Sequence, residues 1–233
     1  MIDVYCIRAD AQNVSESSIV SEIPSLIDDL PSVKRDRILS IRPAAGRVNS
    51  ALGWRLLRFA LHDHGHTDFA LSQLSFDGNG KPRWPHHAGD FNLSHTHALI
   101  ACAVTDTGRV GIDCEHVRAI PTVQLLRRIA SPREDVPANA DALTFFRLWT
   151  QKEAVIKAEG NGGVWDMTRV CLDGDDAYYR DTRWYVYPLK LAGDDYVAHV
   201  ASDIPGRRVD VHEVTIERLL RRGGPDDQTP QMV

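Results

Sequence analysis

At 233 residues, 43% hydrophobic and 25% charged, the chain has the composition of a soluble globular protein, with room for one large domain or two small ones. A net charge of −5, from 27 Lys+Arg against 32 Asp+Glu, argues against a protein that coats nucleic acid, and the longest apolar run, the seven residues Ala98–Val104, falls far short of the ~20 that a membrane helix needs. Met1-Ile-Asp-Val-Tyr5 lacks the basic start of a secretory signal, and Cys6, Cys102, Cys114 and Cys171 form no CxxC pair, so reduced thiols in the cytoplasm are expected.

In chain order, Ile2–Ile7 alternates as an opening strand, and Val14–Asp29 is a weakly specified loop or helix. After Pro31, Val33, Ile38 and Ile41 are spaced for one helical face, with Lys34, Arg35, Arg37 and Arg42 between them. Pro43 opens a second helix, Ala44–His62, whose apolar face carries Ala51, Leu52, Trp54, Leu56, Leu57 and Phe59. His62-Asp-His-Gly-His66 ends it, with Gly65 as the stop. Leu71–Phe76 is expected as a short strand, followed by an Asp77-Gly-Asn-Gly80 turn and a loop to Pro85. Ala98–Val104 and Arg109–Glu115 read as strands joined by Thr105-Asp-Thr-Gly108; a β-hairpin is expected, though a parallel arrangement across two subdomains fits the same pattern.

Ser131-Pro-Arg-Glu134 fits a capping box and places a short helix start there. Ala142–Glu159 is a strong helix closed by Gly160-Asn-Gly-Gly163. Trp184–Tyr187, Tyr196–Val200 and Val209–Thr215 alternate as strands, and the polar segment 221–233 reads as a disordered tail. The fold class is therefore α+β, in two lobes that meet near Thr105–Arg109: residues 1–106 and 107–220.

Asp113 and Glu115 are two apart on a strand, so both leave the same face while Ile112 and Cys114 face the other way. Two carboxylates side by side suit a divalent cation, and oxygen-only ligands favour Mg²⁺ or Mn²⁺; a strand showing two acids to solvent is the other reading. On the long helix, Phe146, Trp149, Glu153, Ile156 and Lys157 share a stripe, which sets an acid and a base beside an aromatic face. Taken alone, a Glu–Lys pair at this spacing is an ordinary surface pair. Asn92, Ser94, His95, Lys81 and the group Lys34, Arg37, Arg47 are candidate phosphate contacts, although such groups are more often solvated surface charges. Ser94-His95 is no nucleophile–base dyad, because neighbours on an extended chain point apart. The tract His62, His64, His66 has the look of a zinc site but lacks Cys or spaced partners, and Asp173-Gly-Asp-Asp176 is a turn rather than a calcium loop.

Together, Gly80-Lys-Pro82, Phe91-Asn-Leu-Ser-His95, Gly111-Ile-Asp-Cys-Glu115 and Trp149-Thr-Gln-Lys-Glu-Ala154, with Lys157 and Gly160, resemble the Sfp-type 4'-phosphopantetheinyl transferases over roughly Lys34 to Gly162. The resemblance implies two similar α+β halves related by pseudo-two-fold symmetry, with coenzyme A in the cleft between them. It implies transfer of the 4'-phosphopantetheine arm of coenzyme A to a serine of an apo carrier protein (acyl, peptidyl or aryl), with release of adenosine 3',5'-bisphosphate. Such a holo-carrier-protein synthase would serve polyketide, nonribosomal peptide or siderophore assembly as a cytoplasmic monomer. By the same resemblance Asp113, Glu115 and Glu153 would hold Mg²⁺, Glu153 would take the serine proton, and Lys157 would neutralise or protonate the leaving phosphate. Lys81, Pro82, Ser94 and His95 would grip the coenzyme's phosphates, with Lys34, Arg37 and Arg47 as its basic N-terminal contacts. Cys114 stands where the family usually has an aliphatic residue, Thr96 where Ser is frequent, and Asn161 where Lys is frequent. Two rivals remain: a non-catalytic relative that binds coenzyme A or carrier proteins, and a Mg²⁺-dependent nucleotide pyrophosphate hydrolase.

Overall fold

Strand β1 (Ile2–Arg8) is apolar on both faces, so it must be covered on both. Tyr5 and Ile7 pack with the helices of the N-terminal region, whereas Ile2, Val4 and Cys6 pack against a second sheet. The computed structural model describes residues 1–9, 15–68, 70–76, 80–85, 87–191 and 193–220. The expected tail 221–233 and most of the turn expected at Asp77–Gly80 lie outside the described residues.

Helices α1 (Glu16–Leu26), α2 (Ser32–Leu39) and α3 (Ala44–Asp63) follow. Ser15 caps α1 by accepting from the Ser18 amide, which makes the weakly specified segment helical. On α2 the expected face is only partly right: Ile38 is buried, but Val33 is 77% exposed. Leu71–Gln73 is a 3-10 turn, and the expected strand shrinks to β2 (Ser75–Phe76), paired with β3 (Pro82–Arg83). Strands β4 (Asp90–Thr96), β5 (Leu99–Thr105) and β6 (Val110–His116) come next. Then follow α4 (Thr122–Ile129), α5 (Ala142–Glu159), β7 (Cys171–Asp173), β8 (Asp176–Tyr179), β9 (Thr182–Leu189), β10 (Tyr196–Ser202), β11 (Val209–Glu213) and α6 (Ile216–Leu220).

Among the described residues the strands form two larger sheets, in the orders β11-β1-β5-β4 and β6-β10-β9-β8-β7. Helices α1 and α3 bury their apolar faces with the first sheet, α5 with the second, and residues from β1, β5, β6 and β10 form a core between the sheets. The chain is thus mixed α+β, in helix–sheet–sheet–helix layers. The last described segment, β11 and α6, returns to the first sheet: β11 runs parallel to β1, and Ile216 and Leu219 join the core around α3. Residues 209–220 therefore pack apart from the rest of the expected 107–220 half.

Two sequence expectations are corrected here. Strands β5 and β6 do not pair as a hairpin; Thr105–Gly108 carries the chain from one sheet to the other, with Gly108 at φ +78. Both strands are buried on two faces, and separate sheets cover each of them. No helix starts at Ser131 either; α4 ends just before it. Glu134 does bond the Ser131 amide as a capping box would, but its carboxylate also holds Lys152 and the Leu172 amide, which ties the turn to α5.

The edges of the two sheets meet at β4 and β6 without a main-chain ladder. Asp90, Asn92, Ser94 and Thr96 each accept a hydrogen bond from a β6 amide: Val110 (3.1 Å), Ile112 (3.0 Å), Cys114 (3.3 Å) and His116 (3.4 Å). Buried amides need acceptors, and here alternate side chains supply them. Helix α5 then lies against β6 because residue 111 is glycine. A Cβ there would stand 2.1 Å from the Ala154 carbonyl oxygen and 2.3 Å from the Ala158 amide nitrogen. Gly111→Ala is expected to push α5 off β6 and destabilise the fold by about 1–3 kcal/mol, the usual cost of overpacking; urea unfolding of the variant checks it.

On β10, His199 is buried under α5 and hydrogen-bonds Thr150 Oγ1 through Nδ1 at 2.7 Å. Burial, with Arg147 adding to it, pushes the imidazole down from 6.5 to about 4. The folded protein keeps this histidine neutral, while the unfolded chain takes up a proton near its ordinary value. Its contribution is therefore complete above about pH 6.5 and is lost as pH falls toward about 4, on the order of 3 kcal/mol in total. Urea midpoints across that window should fall less steeply for His199→Gln than for the unaltered chain.

Candidate functional site

The C-terminal half of α5 forms one wall of a cleft of about 740 Å³ and shows it Glu153, Ile156 and Lys157. Offsets of three and four put these residues on one side of the helix. Asp141 caps α5 by accepting from the Thr144 amide, and Gly160, at φ +89, ends it. Helix α2 contributes Lys34 and Arg37 to the lining, β4 contributes Asn92, Leu93 and His95, and the segment at β3 contributes Gly80, Lys81 and Pro82. The glycine-rich turn after α5 and Trp165, which is 81% exposed, form the rim.

Asp113 is buried beside this cleft. Its Oδ1 accepts from Lys157 Nζ at 2.7 Å and Ser94 Oγ at 2.9 Å, while its Oδ2 is buried without a partner. Burial raises its pKa despite the attraction of Lys157, and Glu115 adds to the rise. Glu153 is likewise raised, by burial first and then by the charges of Asp113 and Glu115, against the pull of Lys157. Burial works against the Lys157 ammonium, but Asp113 and Glu153 outweigh it and its pKa stands above the ordinary value. Lys157 Nζ also donates to Ser94 Oγ and to the Ile112 carbonyl. Glu115 Oε2 accepts from Arg118 (2.9 Å) and Thr96 (3.2 Å).

The three acids thus lie near enough to feel one another, and their oxygens are hard donors that suit Mg²⁺. The unpartnered Asp113 Oδ2 and two carboxyls that resist ionisation are what a cation would relieve. The fit is not a closed cage, since only another cluster among the described residues gathers three ligand atoms within 4.8 Å of one another. Lys157 holds one Asp113 oxygen and Arg118 one Glu115 oxygen.

The basic side of the cleft is suited to anions. Lys34 and Arg37 are one turn apart on α2, and the Lys34 pKa is lowered by burial and by Arg37. An anion between them would relieve the repulsion. Lys34 Nζ also sits 4.3 Å from the centre of the Phe76 ring. His95 is held toward its neutral form by burial and by Lys157. Lys81 lines the cleft, but its Nζ already bonds Asp90 Oδ2 (3.0 Å) and the Ala158 carbonyl (3.2 Å). Ser94 lies behind the cleft wall, bonded to Asp113 and the Cys114 amide. Arg47 is not in the cleft lining, and its guanidinium donates to the Ile41 and Arg42 carbonyls.

Of the twelve candidate contact and metal residues singled out by the sequence, Lys34, Arg37, Lys81, Pro82, Asn92, His95, Glu153 and Lys157 line this cleft. Trp165 and Trp54 line it too, and sequence reading passed over both. Trp54 is hidden in the apolar pattern of α3, and Trp165 follows a turn with no periodicity to expose it. Lys152, in the same motif as Glu153, was given no role; it is fully buried, about 100° round α5 from Glu153.

Residues 109–201 match the family model described as the 4'-phosphopantetheinyl transferase superfamily. That stretch carries Asp113, Glu115, Glu153 and Lys157. Among curated proteins, the chain is 37% identical over 110 residues to 4'-phosphopantetheinyl transferase HetI of Nostoc sp., covering 42% of this chain and 46% of the relative. It is 31% identical over 112 residues to 4'-phosphopantetheinyl transferase AcpT of Escherichia coli, 45% of this chain and 57% of the relative. It is 34% identical over 119 residues to 4'-phosphopantetheinyl transferase psf-1 of Bacillus pumilus, 48% of this chain and 49% of the relative. The resemblance read from the motifs is thus found independently, and the chain spans about half the length of these relatives.

Proposed function

We propose that the chain is a 4'-phosphopantetheinyl transferase that binds coenzyme A in this cleft and moves its phosphopantetheine arm onto a serine of an apo carrier protein. The observation that carries the reading is that Lys34, Arg37 and His95 line one cleft together with Glu153 and Lys157, the last of which bonds the buried Asp113. The layered arrangement, with α3 on the first sheet and α5 on the second, supports two halves, 1–106 and 107–220, related by a pseudo-two-fold axis. The crossing of β11 and α6 back to the first sheet would lock those halves together.

The reaction joins the carrier serine Oγ to the β-phosphorus of the coenzyme and breaks the bond from that phosphorus to the bridging oxygen. Adenosine 3',5'-bisphosphate leaves with the bridging electrons. The serine must lose a proton, and Glu153 is placed to accept it. Its raised pKa makes it a better base than a solvated carboxylate. Lys157 keeps its proton and can donate a hydrogen bond to the leaving phosphate, while Lys34 and Arg37 position the distant phosphate by charge. Asp113, Glu115 and Glu153 would hold Mg²⁺, which supplies charge neutralisation at the pyrophosphate. Ser94 and Lys157 orient the Asp113 carboxylate for that role. A monomer in the cytoplasm is part of the same reading; no helix among the described residues is long and apolar enough to cross a membrane.

The test is incubation with coenzyme A and MgCl₂, with and without an apo acyl carrier protein, followed by mass spectrometry of both. The expected result is a carrier heavier by one phosphopantetheine group. Cleavage of coenzyme A without carrier would instead make the chain a pyrophosphate hydrolase, and neither change would make it a binding protein. A parallel panel of apo acyl, peptidyl and aryl carriers then defines the pathway served.

A further inference from the structure

The histidine tract at the end of α3 is drawn into a cluster with an acid from elsewhere in the chain. His64 is the residue at the C-terminus of α3, Gly65 turns the chain at φ +87, and His66 follows. Asp106, from the turn between β5 and β6, stands against both. Its Oδ1 is 3.4 Å from His64 Nδ1 and 3.6 Å from His66 Nε2, and all three ligand atoms lie within 4.8 Å of one another. Two ligands each ~2.0–2.1 Å from a tetrahedral zinc ion are about 3.3 Å apart, so these separations are close to tetrahedral edges.

The surroundings complete the pattern. His64 Nε2 lies 2.9 Å from Asp3 Oδ2, and the other Asp3 oxygen is 2.8 Å from His212 Nε2. With the Nε2 proton donated to Asp3, Nδ1 carries the lone pair beside Asp106. This is the carboxylate–histidine arrangement that orients metal-bound imidazoles. His66 Nε2 is buried and has no hydrogen-bond partner. The His66 ring meets the Trp84 ring (4.3 Å) and the His87 ring (4.9 Å) edge to face, and those two rings stack on each other at 3.7 Å. Asp106 is 63% exposed on its side chain, which leaves a route from solvent. None of the three residues lines the cleft described above.

We infer that His64, His66 and Asp106 form a binding site for a zinc-class transition-metal ion, with water at the fourth position, separate from the carboxylates beside the cleft. Two imidazoles and one carboxylate favour zinc or cobalt over magnesium. A bound ion ties the end of α3 to the turn that carries the chain between the two sheets. His62 is not part of the set.

Cobalt(II) serves as the probe, titrated into the full chain lacking any polyhistidine tag and followed by its visible absorption. The expected result is one saturable equivalent with the intense bands of tetrahedral cobalt, displaced by Zn²⁺. Affinity should fall more than about tenfold in His66→Gln and in Asp106→Asn. The second variant lies on an exposed turn and keeps the fold, as a thermal melt without metal will verify. Glu153→Gln should leave the cobalt signal unchanged. A titration with no saturable tetrahedral signal, a signal unaltered in both cluster variants, or one lost in Glu153→Gln overturns the site. None of these outcomes bears on transfer to carrier protein.

Discussion

Glu153→Gln is expected to slow carrier modification by ~10²–10⁴ while leaving the fold intact or slightly more stable. Both halves follow from the same surroundings. The carboxylate is buried and lies within the fields of Asp113 and Glu115, so its ionised form is held at a cost to the folded chain. A neutral amide of the same shape removes that repulsion and also removes the base. Rates from time-resolved mass spectrometry and melting curves on the same preparation read the two effects separately. Near-full activity in the variant would end the assignment of Glu153 as base. A large loss of stability would mean that the residue serves packing instead.

The neighbouring residue gives the opposite expectation. Lys152 is fully buried, and its Nζ donates to the carbonyls of Ile129, Met167 and Val170 at 2.8–3.1 Å while pairing with Glu134 Oε2 at 2.7 Å. Removing the ammonium strands three carbonyls and a carboxylate, so Lys152→Met should cost about 3–5 kcal/mol, as breaking buried ion pairs does. That is a large share of the ~5–15 kcal/mol that a domain has in total. Adding Glu134→Gln should recover part of the loss, since the amide leaves no unpaired buried charge and its single oxygen can still accept from one of the two amides, Ser131 or Leu172, that the carboxylate serves. Urea unfolding of the single and double variants measures the coupling; additive losses would mean that the two groups do not act together.

Lys152 and Glu153 also show what the sequence can and cannot disclose. The helical period of α5 and its glycine stop are visible in the letters, and so is the pairing of Asp113 with Glu115 on one strand face. The period says that adjacent residues leave a helix about 100° apart, but not which one meets a cleft and which meets the carbonyls of α4 and its neighbours. Strand β4 escaped a strand assignment for a different reason. Its alternate positions, Asp90, Asn92, Ser94 and Thr96, are polar because they serve the amides of β6, and their alternation with Phe91 and Leu93 ends at the polar His95, which leaves too short a run to stand out. Asn92 and Ser94 therefore looked like ligand contacts, whereas their oxygens accept from the fold's own backbone. The hairpin expected at Thr105–Gly108 failed because local turn chemistry is the same whether a chain doubles back or steps to another layer. Arg47 looked like a phosphate contact because it is basic and near Lys34 and Arg37. Only the three-dimensional course of α2 and α3 shows its guanidinium turned to carbonyls at their junction.

The row of side chains joining β4 to β6 has a consequence for how the protein behaves in a crowded solution. An open sheet edge is a template on which a foreign strand can add, and each of the two main sheets would present one here. Because Asp90, Asn92, Ser94 and Thr96 occupy the β6 amides, those donors are not available to an intruding strand. The polar side chains of β4 therefore also guard the chain against aggregation along this seam. The same side chain at position 94 bears on Asp113, so that protection and the geometry of the acidic centre rest on one serine.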